Sequence, residues 1–354
     1  MRIALVSTPF VAVPPPAYGG TELVVCELAL ALRALGHEVV VYATGDSALP
    51  GIEVRHYFGR AVWPPDASVE ETHAAWCMRD ILRDPRGFDS IHSHCTAFVS
   101  LSHHFDCPVL HTVHHDVDPA YTARYLAAPE AHLVGISHAQ ARKEPAPIEA
   151  VVHHGLDASR FSPQPDGGYL LFLGRYDRCK GPDMALDVAE RAGLPLVLAG
   201  RPHEPGYWEQ ELAPRLRCRA ARDVGPVGGA RKLALLARAR ALIFPIRWDE
   251  PFGLVMIEAM LSGVPVLALA RGSVPEVVDA GLTGAPCANL DEMVAAARTA
   301  GAAFDRRRVR AVARHRWSSA RMARDYLALY SAIAAELPLR SQDLASADGT
   351  AAIS

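Results

Sequence analysis

Residues 249 to 266 read DEPFGLVMIEAMLSGVPV, and this stretch places two carboxylates around the start of a helix. Pro251 favours an extended conformation for Glu250, and Gly253 then allows the chain to turn into an apolar helix. Glu258 lies within that helix. A loop followed by a helix can fold Glu250 back over the helix N-terminus, whereas an uninterrupted helix would separate the two carboxylates by about 12 Å.

The first amides of this helix, at Gly253, Leu254 and Val255, have no acceptor within the helix and are expected to face an anion. A phosphate at these amides, with Glu250 and Glu258 accepting hydrogen bonds from sugar hydroxyls, describes a site for a nucleotide sugar. For this segment alone, the alternative is a surface loop followed by a core helix.

Several further motifs accompany the two glutamates and their Gly-Val-Pro-Val sequence. They are Gly19-Gly20-Thr21-Glu22, Thr112-Val113-His114, Gly174-Arg175 with Lys180-Gly181, and Gly272-Ser273-Val274-Pro275-Glu276. Together they resemble the retaining family 4 glycosyltransferases, which include glycogen-synthase-like and mannosyltransferase-like group 1 transferases. The resemblance implies the α/β GT-B fold, in which two Rossmann-like doubly wound parallel-sheet domains face each other across a cleft.

The composition limits the class of protein. At 354 residues, 50% of them hydrophobic, the chain is long enough for two domains. A formal charge of −3 without a long basic run argues against nucleic acid, and no apolar stretch approaches the ~18 residues that span a bilayer. No signal peptide is expected, because Met1-Arg2 leads straight into the predicted first strand, and seven cysteines without a Cys-x-x-Cys pair fit reduced thiols. We expect a cytoplasmic monomer or homodimer without stable membrane insertion.

Apolar runs and turn residues predict the order of the elements. A strand at residues 3–7, a helix over 21–35 that Thr21 can cap, and a strand at 39–41 form a strand-helix-strand unit typical of a doubly wound sheet. Further strands are predicted at residues 90–92, 109–113, 133–136, 169–173, 196–199, 241–245 and 266–269.

The strands suggest two domains, and the resemblance suggests their roles. Residues 1–155 are expected to form a Rossmann-like acceptor-binding domain, and residues 160–316 a Rossmann-like domain that binds the nucleotide sugar. A helix over 319–337 crosses back to the first domain in the family, and residues 338–354 are polar and aperiodic, which predicts disorder. The hinge is expected near Gly155, where His154 replaces the Asn common in relatives.

Arg175 and Lys180 follow a predicted strand, where ligands bind in open α/β sheets. Only three of the 36 basic side chains are lysines, so the position of Lys180 is informative. Each charge-assisted contact with a diphosphate contributes roughly 1.5 to 3 kcal/mol, and in the family the residues at these positions bind that group. The alternative is an exposed basic loop. The acidic residue usual before Lys-Gly is here Cys179.

The resemblance implies roles for residues on both sides of the cleft. Gly19 and Gly20 would approach the phosphate closely, and His114 would hydrogen-bond the donor sugar while neutral. Val227 and Lys232, in a loop leading into a helix, would contact the nucleotide base.

Metal binding is not expected, and neither is a cofactor beyond the donor. Eleven of the sixteen histidines lie between His92 and His154, but no pair has a helical His-x-x-x-His spacing beside a catalytic Glu. A histidine-lined acceptor cleft is the preferred interpretation. The Asp116-Val117-Asp118 sequence is interpreted as a turn. Ser273, Pro275 and Glu276 resemble a family loop near the donor, although a structural turn is preferred.

The sequence therefore predicts a metal-independent, retaining hexosyltransferase that moves a sugar from a nucleotide sugar, most readily a UDP-sugar, to a hydroxyl of a small metabolite or natural product. Arg175, Lys180, His114 and Glu250 are the candidate catalytic residues. The alternatives are a transferase for cell-envelope, polysaccharide or lipid-linked glycans, and a non-catalytic nucleotide-sugar-binding protein. A nicotinamide-dependent oxidoreductase would need a Gly-x-Gly-x-x-Gly fingerprint, which neither glycine-rich loop supplies.

Overall fold

The computed structural model describes residues 1–17, 19–216 and 221–336, and contains two parallel β-sheets in succession along the chain. The first sheet has the strand order β3-β2-β1-β4-β5-β6-β7. Its strands are β1 (Arg2–Val6), β2 (Glu38–Ala43), β3 (Glu53–His56), β4 (Ser90–Ser93), β5 (Val109–Thr112), β6 (His132–Gly135) and β7 (Ala150–Val151). All neighbouring strands in this sheet are parallel.

The second sheet has the order β10-β9-β8-β11-β12-β13, again with parallel neighbours. Its strands are β8 (Leu170–Leu173), β9 (Leu196–Ala199), β10 (Ala221–Asp223), β11 (Ala241–Phe244), β12 (Val266–Leu269) and β13 (Gly284–Cys287). In both sheets the order reverses beside the first strand of that half, at β1 and at β8. The two halves are therefore Rossmann-like domains, and the α/β class is confirmed.

The α-helices of the described residues connect and cover these strands. They are α1 (Gly20–Ala34), α2 (Ala67–Arg83), α3 (Thr96–Val99), α4 (Pro119–Leu126), α5 (His138–Ala141), α6 (Pro182–Ala192), α7 (Ala213–Leu216), α8 (Gly229–Arg238), α9 (Leu254–Leu261), α10 (Val274–Val277), α11 (Leu290–Ala303), α12 (Arg306–Arg316) and α13 (Ser319–Glu336). Within the described ranges, no helix is long and apolar enough to cross a membrane.

The start of α1 differs from the expectation. The helix begins at Gly20 with Gly19 as its N-cap residue, and no side chain caps it. Thr21 therefore lies one position inside the helix, where its hydroxyl cannot serve as the N-cap acceptor, and the predicted Thr21 cap is wrong. The end of the helix agrees with the sequence, because Gly36 follows it with a φ of 87°.

Strand β1 is buried on both faces, which explains its apolar sequence from Ile3 to Val6. Every residue of β1 is buried, and Leu5 lies between Val41 of β2 and His92 of β4. A histidine at the centre of a sheet needs partners for both ring nitrogens. His92 has them, because Nδ1 lies 2.7 Å from Tyr330 Oη and Nε2 lies 2.7 Å from Thr112 Oγ1.

Helix α13 returns to the first domain. It packs against α1, and its fully buried Tyr326 and Tyr330 hydrogen-bond to residues of β5 and β4. Burial of a large side chain stabilises the fold by about 1.5–3 kcal/mol, so these two tyrosines fix the return of the chain. The predicted tail over 338–354 lies outside the described residues.

The connection between the sheets passes close to the start of α13. Leu156 donates its amide to Trp317 O at 2.9 Å and accepts the Ser319 amide at 2.9 Å. A side chain on Gly155 would place its Cβ only 2.3 Å from Ser318 O, so glycine is required there. The predicted hinge is thus a point where two chain segments touch. The domain limits, 1–155 and 160–316, remain predictions.

Candidate active site

The start of α9 is the centre of the candidate site. Gly253 is its N-cap residue with a φ of 79°, and no side chain accepts a hydrogen bond there. The residues that carry the first amides, Leu254 and Val255, are half-buried. Aligned amides at an uncapped helix start carry partial positive charge and favour an anion. The loop-then-helix arrangement predicted for this segment is present.

A neighbouring turn holds the loop that carries Glu250. The Ser273 amide donates to Glu250 O at 2.9 Å, and Ser273 Oγ donates to Phe252 O at 2.9 Å. Gly272 has a φ of 52°, and a Cβ there would lie 2.5 Å from Glu250 N and O. Ser273 and Gly272 therefore support the site from behind, in agreement with the structural interpretation of this turn.

Glu250 is paired with Lys180. Lys180 Nζ lies 2.5 Å from Glu250 Oε2, and the side chains are 15% and 11% exposed. Trp248 Nε1 donates to the same oxygen at 3.0 Å, and the Lys180 ammonium lies 4.7 Å from the centre of the Trp248 ring. The sequence interpretation assigned no role to Trp248, since its indole reaches the site only through the loop geometry.

Lys180 is held tightly beside the second sheet. The Lys180 amide donates to Asp177 Oδ1 at 3.0 Å. Gly181, with a φ of 69°, begins α6, and a Cβ there would approach Pro245 O to 2.3 Å. Cys179 lies against the same Asp177, and burial, with that carboxylate, raises the pKa of its thiol to about 11. Cys179 is therefore neutral at physiological pH.

Arg175 lies at the end of β8, one residue beyond Gly174. Its Nε is 3.3 Å from Asp177 Oδ2, its Nη1 is 3.4 Å from His203 Nε2, and the side chain is 31% exposed. Asp177 thus contacts both the Arg175 guanidinium and the Lys180 amide. Within the described part of the chain, Arg175 makes no ion pair with Glu250 or Glu258.

Glu258 forms the second carboxylate pair of the site. Its Oε1 lies 2.5 Å from Lys232 Nζ, and the two side chains are 7% and 23% exposed respectively. Lys232 lies in the first turn of α8, and Val227, in the loop before that helix, is half-buried against the core. The sequence placed Lys232 near the base but did not predict this direct contact with Glu258.

The glycine loop of the first domain touches the start of α9. A Cβ on Gly20 would lie 3.6 Å from Leu254 Cδ1, and a Cβ on Gly19 only 2.8 Å from Glu22 Oε2. Glu22 is buried and accepts a hydrogen bond from Thr8 Oγ1 at 2.5 Å. Burial raises the pKa of this carboxyl. Glu22 was part of the quoted motif, yet its type alone gave no indication that it is buried.

His114 reaches the same region from the end of β5. Its Nε2 lies 2.7 Å from His94 Nδ1, and its ring stacks on His154 at 5.2 Å. His154 in turn contacts Phe252, with ring centres 4.9 Å apart. Burial, together with His115, lowers the pKa of His114 to about 3, so this imidazole is neutral at physiological pH. The replacement of the usual hinge Asn by His154 therefore extends the histidine stack.

The Asp116-Val117-Asp118 sequence has a structural role. Asp118 caps α4 by accepting from the amides of Ala120 and Tyr121, and Asp116 pairs with Lys143 at 2.8 Å. Asp118 thus caps a helix and Asp116 forms an ion pair, so both carboxylates have structural partners, in agreement with the interpretation of this sequence as a turn.

Comparison with known proteins places this geometry in context. Residues 157–311 match the family model described as glycosyl transferases group 1, and residues 18–164 match the model described as glycosyltransferase family 4. Glycogen synthase of Mycobacterium tuberculosis (strain CDC 1551 / Oshkosh) is 28% identical over 351 residues, covering 82% of this chain and 83% of that protein.

Two solved structures share the architecture. AviGT4, a glycosyltransferase involved in avilamycin A biosynthesis, is 25% identical with a TM-score of 0.72, covering 95% of this chain and 98% of that chain. HepE of Anabaena, solved in complex with UDP and glucose, is 18% identical with a TM-score of 0.71, covering 94% and 99%. The two family models together cover residues 18–311, which include the second sheet and the α9 site. The chain is therefore a group 1 glycosyltransferase with the GT-B fold.

Proposed function

We propose that this protein transfers a sugar from a UDP-sugar to a hydroxyl of a small-molecule acceptor, with retention at the anomeric carbon. The observation that carries the proposal is the pair of Lys–Glu contacts, Lys180–Glu250 and Lys232–Glu258, on either side of the uncapped start of α9. Each glutamate is mostly buried and already holds a cation, so it can exchange that partner for ligand groups without large rearrangement.

The diphosphate is assigned to the α9 amides together with Lys180 and Arg175. The phosphate draws Lys180 away from Glu250, and the freed carboxylate accepts a hydroxyl of the sugar. Stabilisation of a leaving group by one preorganised donor is worth about 10²- to 10³-fold in rate. Charge on the departing diphosphate increases towards the transition state, so these contacts strengthen as the bond breaks.

Glu258 is assigned to the ribose hydroxyls, with Lys232 and Val227 beside the base. His114, neutral and fixed by His94, can hydrogen-bond a hydroxyl of the donor sugar. Gly19 and Gly20 allow the first domain to approach the diphosphate closely.

The acceptor proton is assigned to the leaving phosphate oxygen, since none of the candidate residues is placed as a nucleophile. The acceptor oxygen then bonds to the anomeric carbon on the face that the phosphate leaves, which retains configuration. Lys180, Arg175 and the helix amides neutralise the diphosphate, and the proposal therefore includes transfer without a divalent metal. Turnover in excess EDTA equal to turnover in Mg²⁺ supports that part, and complete loss in EDTA contradicts it.

Similarity to AviGT4 supports a natural-product acceptor, and the UDP and glucose bound by HepE support a UDP-sugar donor. The experiment has two stages. Thermal shifts with UDP, GDP, ADP and TDP should be largest for UDP; the NMR coupling constant of the new anomeric proton should then match that of the donor. The absence of a shift with any nucleotide, or an inverted product, contradicts the proposal.

Transfer to an α-glucan is the second candidate, because the glycogen synthase similarity extends over 82% of the chain. Incorporation of labelled glucose into glycogen, compared with transfer to small hydroxyl compounds, distinguishes the two acceptors. A purely binding protein has no need of a cation that stabilises a leaving diphosphate, as Lys180 would, and turnover of a UDP-sugar excludes it.

A further inference from the structure

A cluster of two histidines and one glutamate lies between the domains, and none of the three residues is assigned to the donor in the proposed function. His138 is the first residue of α5 in the first domain, and His153 follows β7. Glu276 belongs to α10 in the second domain. One potential ligand atom from each of these side chains lies within 4.8 Å of the other two.

The Glu276 carboxylate is fixed in orientation. Oε2 accepts the His138 amide at 2.9 Å, and Oε1 accepts the Ala139 amide at 2.9 Å. His153 Nε2 lies 3.1 Å from Oε2, and the His153 ring is packed against Trp317 and Phe252 with ring centres 5.5 and 6.0 Å away. Two of the three possible ligands therefore occupy defined positions before any ion binds.

Their separation suits a tetrahedral metal. Zn²⁺ binds imidazole nitrogen and carboxylate oxygen at about 2.0–2.2 Å, which places two such ligands about 3.3 Å apart at the tetrahedral angle. The 3.1 Å between His153 Nε2 and Glu276 Oε2 is close to that separation.

The third ligand can reach the same point. His138 is exposed, and its ring meets the His153 ring edge to face with centres 5.6 Å apart. An exposed imidazole can rotate about its side-chain bonds at little cost, because it is not packed into a core.

We propose that His138, His153 and Glu276 form a binding site for a borderline divalent transition metal, with Zn²⁺ as the expected ion. Two imidazoles and one carboxylate are a known zinc ligand set and leave a fourth position for water, whereas Mg²⁺ and Ca²⁺ prefer all-oxygen sites. In the metal-bound form the His153 imidazole keeps one proton on Nδ1 and releases any second proton to solvent. The hydrogen bond between Nε2 and Glu276 Oε2 is thereby replaced by one metal bond from each of these two atoms.

The ion would join the two domains. His138 and Glu276 come from opposite sides of the predicted domain boundary, where the Glu276 carboxylate already accepts the amides of His138 and Ala139. A metal that binds the folded protein but not the unfolded chain raises stability by mass action. The site therefore acts as a clamp between domains, separate from the transfer chemistry proposed above.

The test is a Zn²⁺ titration of the full chain against a chromogenic chelator, with melting temperature recorded in parallel. The wild type should bind one Zn²⁺ more tightly than its remaining histidines do, with a higher melting temperature. His138→Gln should weaken this binding at least tenfold. The variant leaves the Glu276–His153 hydrogen bond and the His138 amide intact, so its fold should be unaffected.

His56→Gln is the matched control, because His56 is an exposed histidine at the end of β3, at the opposite edge of the first sheet from β7. It should bind Zn²⁺ as the wild type does. Equal affinity of His138→Gln and wild type, or the absence of a stoichiometric site, overturns the proposal. Neither result depends on the sugar donor or on turnover.

Discussion

Lys180 and Glu250 meet across the ends of two neighbouring strands, with 2.5 Å between the ammonium nitrogen and a carboxylate oxygen. The two residues are 70 positions apart in the sequence, and each follows a strand of the second sheet. The pair lies beside the amides that begin α9. Glu250 therefore forms an ion pair with the same ammonium group that is assigned to the diphosphate.

The first prediction concerns Lys180. Lys180→Ala should lower kcat by about 10²- to 10³-fold, because the cation that stabilises the leaving diphosphate is lost. Steady-state kinetics with UDP-glucose measure the change. Arg314→Ala removes an equal charge from an exposed position on α12 and should retain wild-type rates. A Lys180→Ala variant within threefold of the wild type contradicts the assigned role.

The second prediction concerns Glu258. Glu258→Ala should weaken UDP binding by about 10- to 150-fold, which corresponds to loss of a charge-assisted hydrogen bond worth about 1.5–3 kcal/mol. At saturating donor, kcat should change much less. Calorimetric titration with UDP, beside saturation kinetics, separates these quantities. Unchanged UDP affinity together with a large fall in kcat is the opposite pattern and excludes a ribose-binding role.

Alanine substitutions at two glycines distinguish the cost of backbone strain from the loss of UDP binding. Gly253 and Gly281 have φ values of 79° and 73°, so alanine at either should destabilise the protein by about 1–2 kcal/mol. A Cβ at Gly253 would also lie 2.7 Å from Met256 Cε, beside the helix amides. A Cβ at Gly281 would have no atom of the described residues within 4 Å. Urea unfolding should show a loss of stability in both variants, larger in Gly253→Ala because of the clash with Met256, but only Gly253→Ala should lose UDP binding. Full UDP binding by Gly253→Ala removes the helix start from the site.

Buried neutral histidines make stability depend on pH. Burial lowers the pKa of His73 to about 4, and burial, with the nearby His114, lowers that of His92 to about 3. The unfolded chain, with histidine pKa near 6.5, therefore binds more protons below that pH. The free energy of unfolding should be nearly constant above pH 7 and fall by about 1.4 kcal/mol per pH unit for each such histidine below about pH 6.

Urea unfolding between pH 7.5 and 5 measures this slope. His73→Asn should reduce the slope by about one proton, whatever its effect on stability at pH 7.5. The exposed His315→Gln should leave the slope unchanged. An equal slope in His73→Asn and the wild type contradicts the neutral burial of His73.

Local sequence patterns predicted much of the fold. Unbroken apolar runs marked β1, β8, β11 and β12, because strands buried on both faces must be apolar throughout. The four edge strands β3, β7, β10 and β13 were missed, since each is short, has exposed or half-buried residues and therefore carries no such run. The predicted Thr21 cap was wrong because the helix begins one residue earlier than expected, with Gly19 as its N-cap residue. Which of two neighbouring residues is the N-cap depends on their backbone angles, and the residue types alone did not indicate them.

The sequence predicted which residues belong to the site from their motifs, but it did not predict which of these residues contact one another. Glu250, Glu258 and Lys180 were found because each lies in a distinctive local pattern. Trp248 and Asp177 were missed, although they orient Lys180 and Arg175, because a tryptophan or an aspartate in a loop has no signature. Likewise, only the folded chain brings His138 and His153 to Glu276, since more than 120 residues separate His153 from Glu276.

The central claim is that the start of α9, with Lys180 and Arg175, binds a diphosphate. Calorimetric comparison of UDP with uridine, in the wild type and in Lys180→Ala, tests it most directly. We predict that the wild type binds UDP at least 100-fold more tightly than uridine, and that Lys180→Ala reduces this ratio at least tenfold while uridine affinity stays unchanged. Equal affinities for UDP and uridine in the wild type, or a ratio that Lys180→Ala leaves intact, would contradict the account.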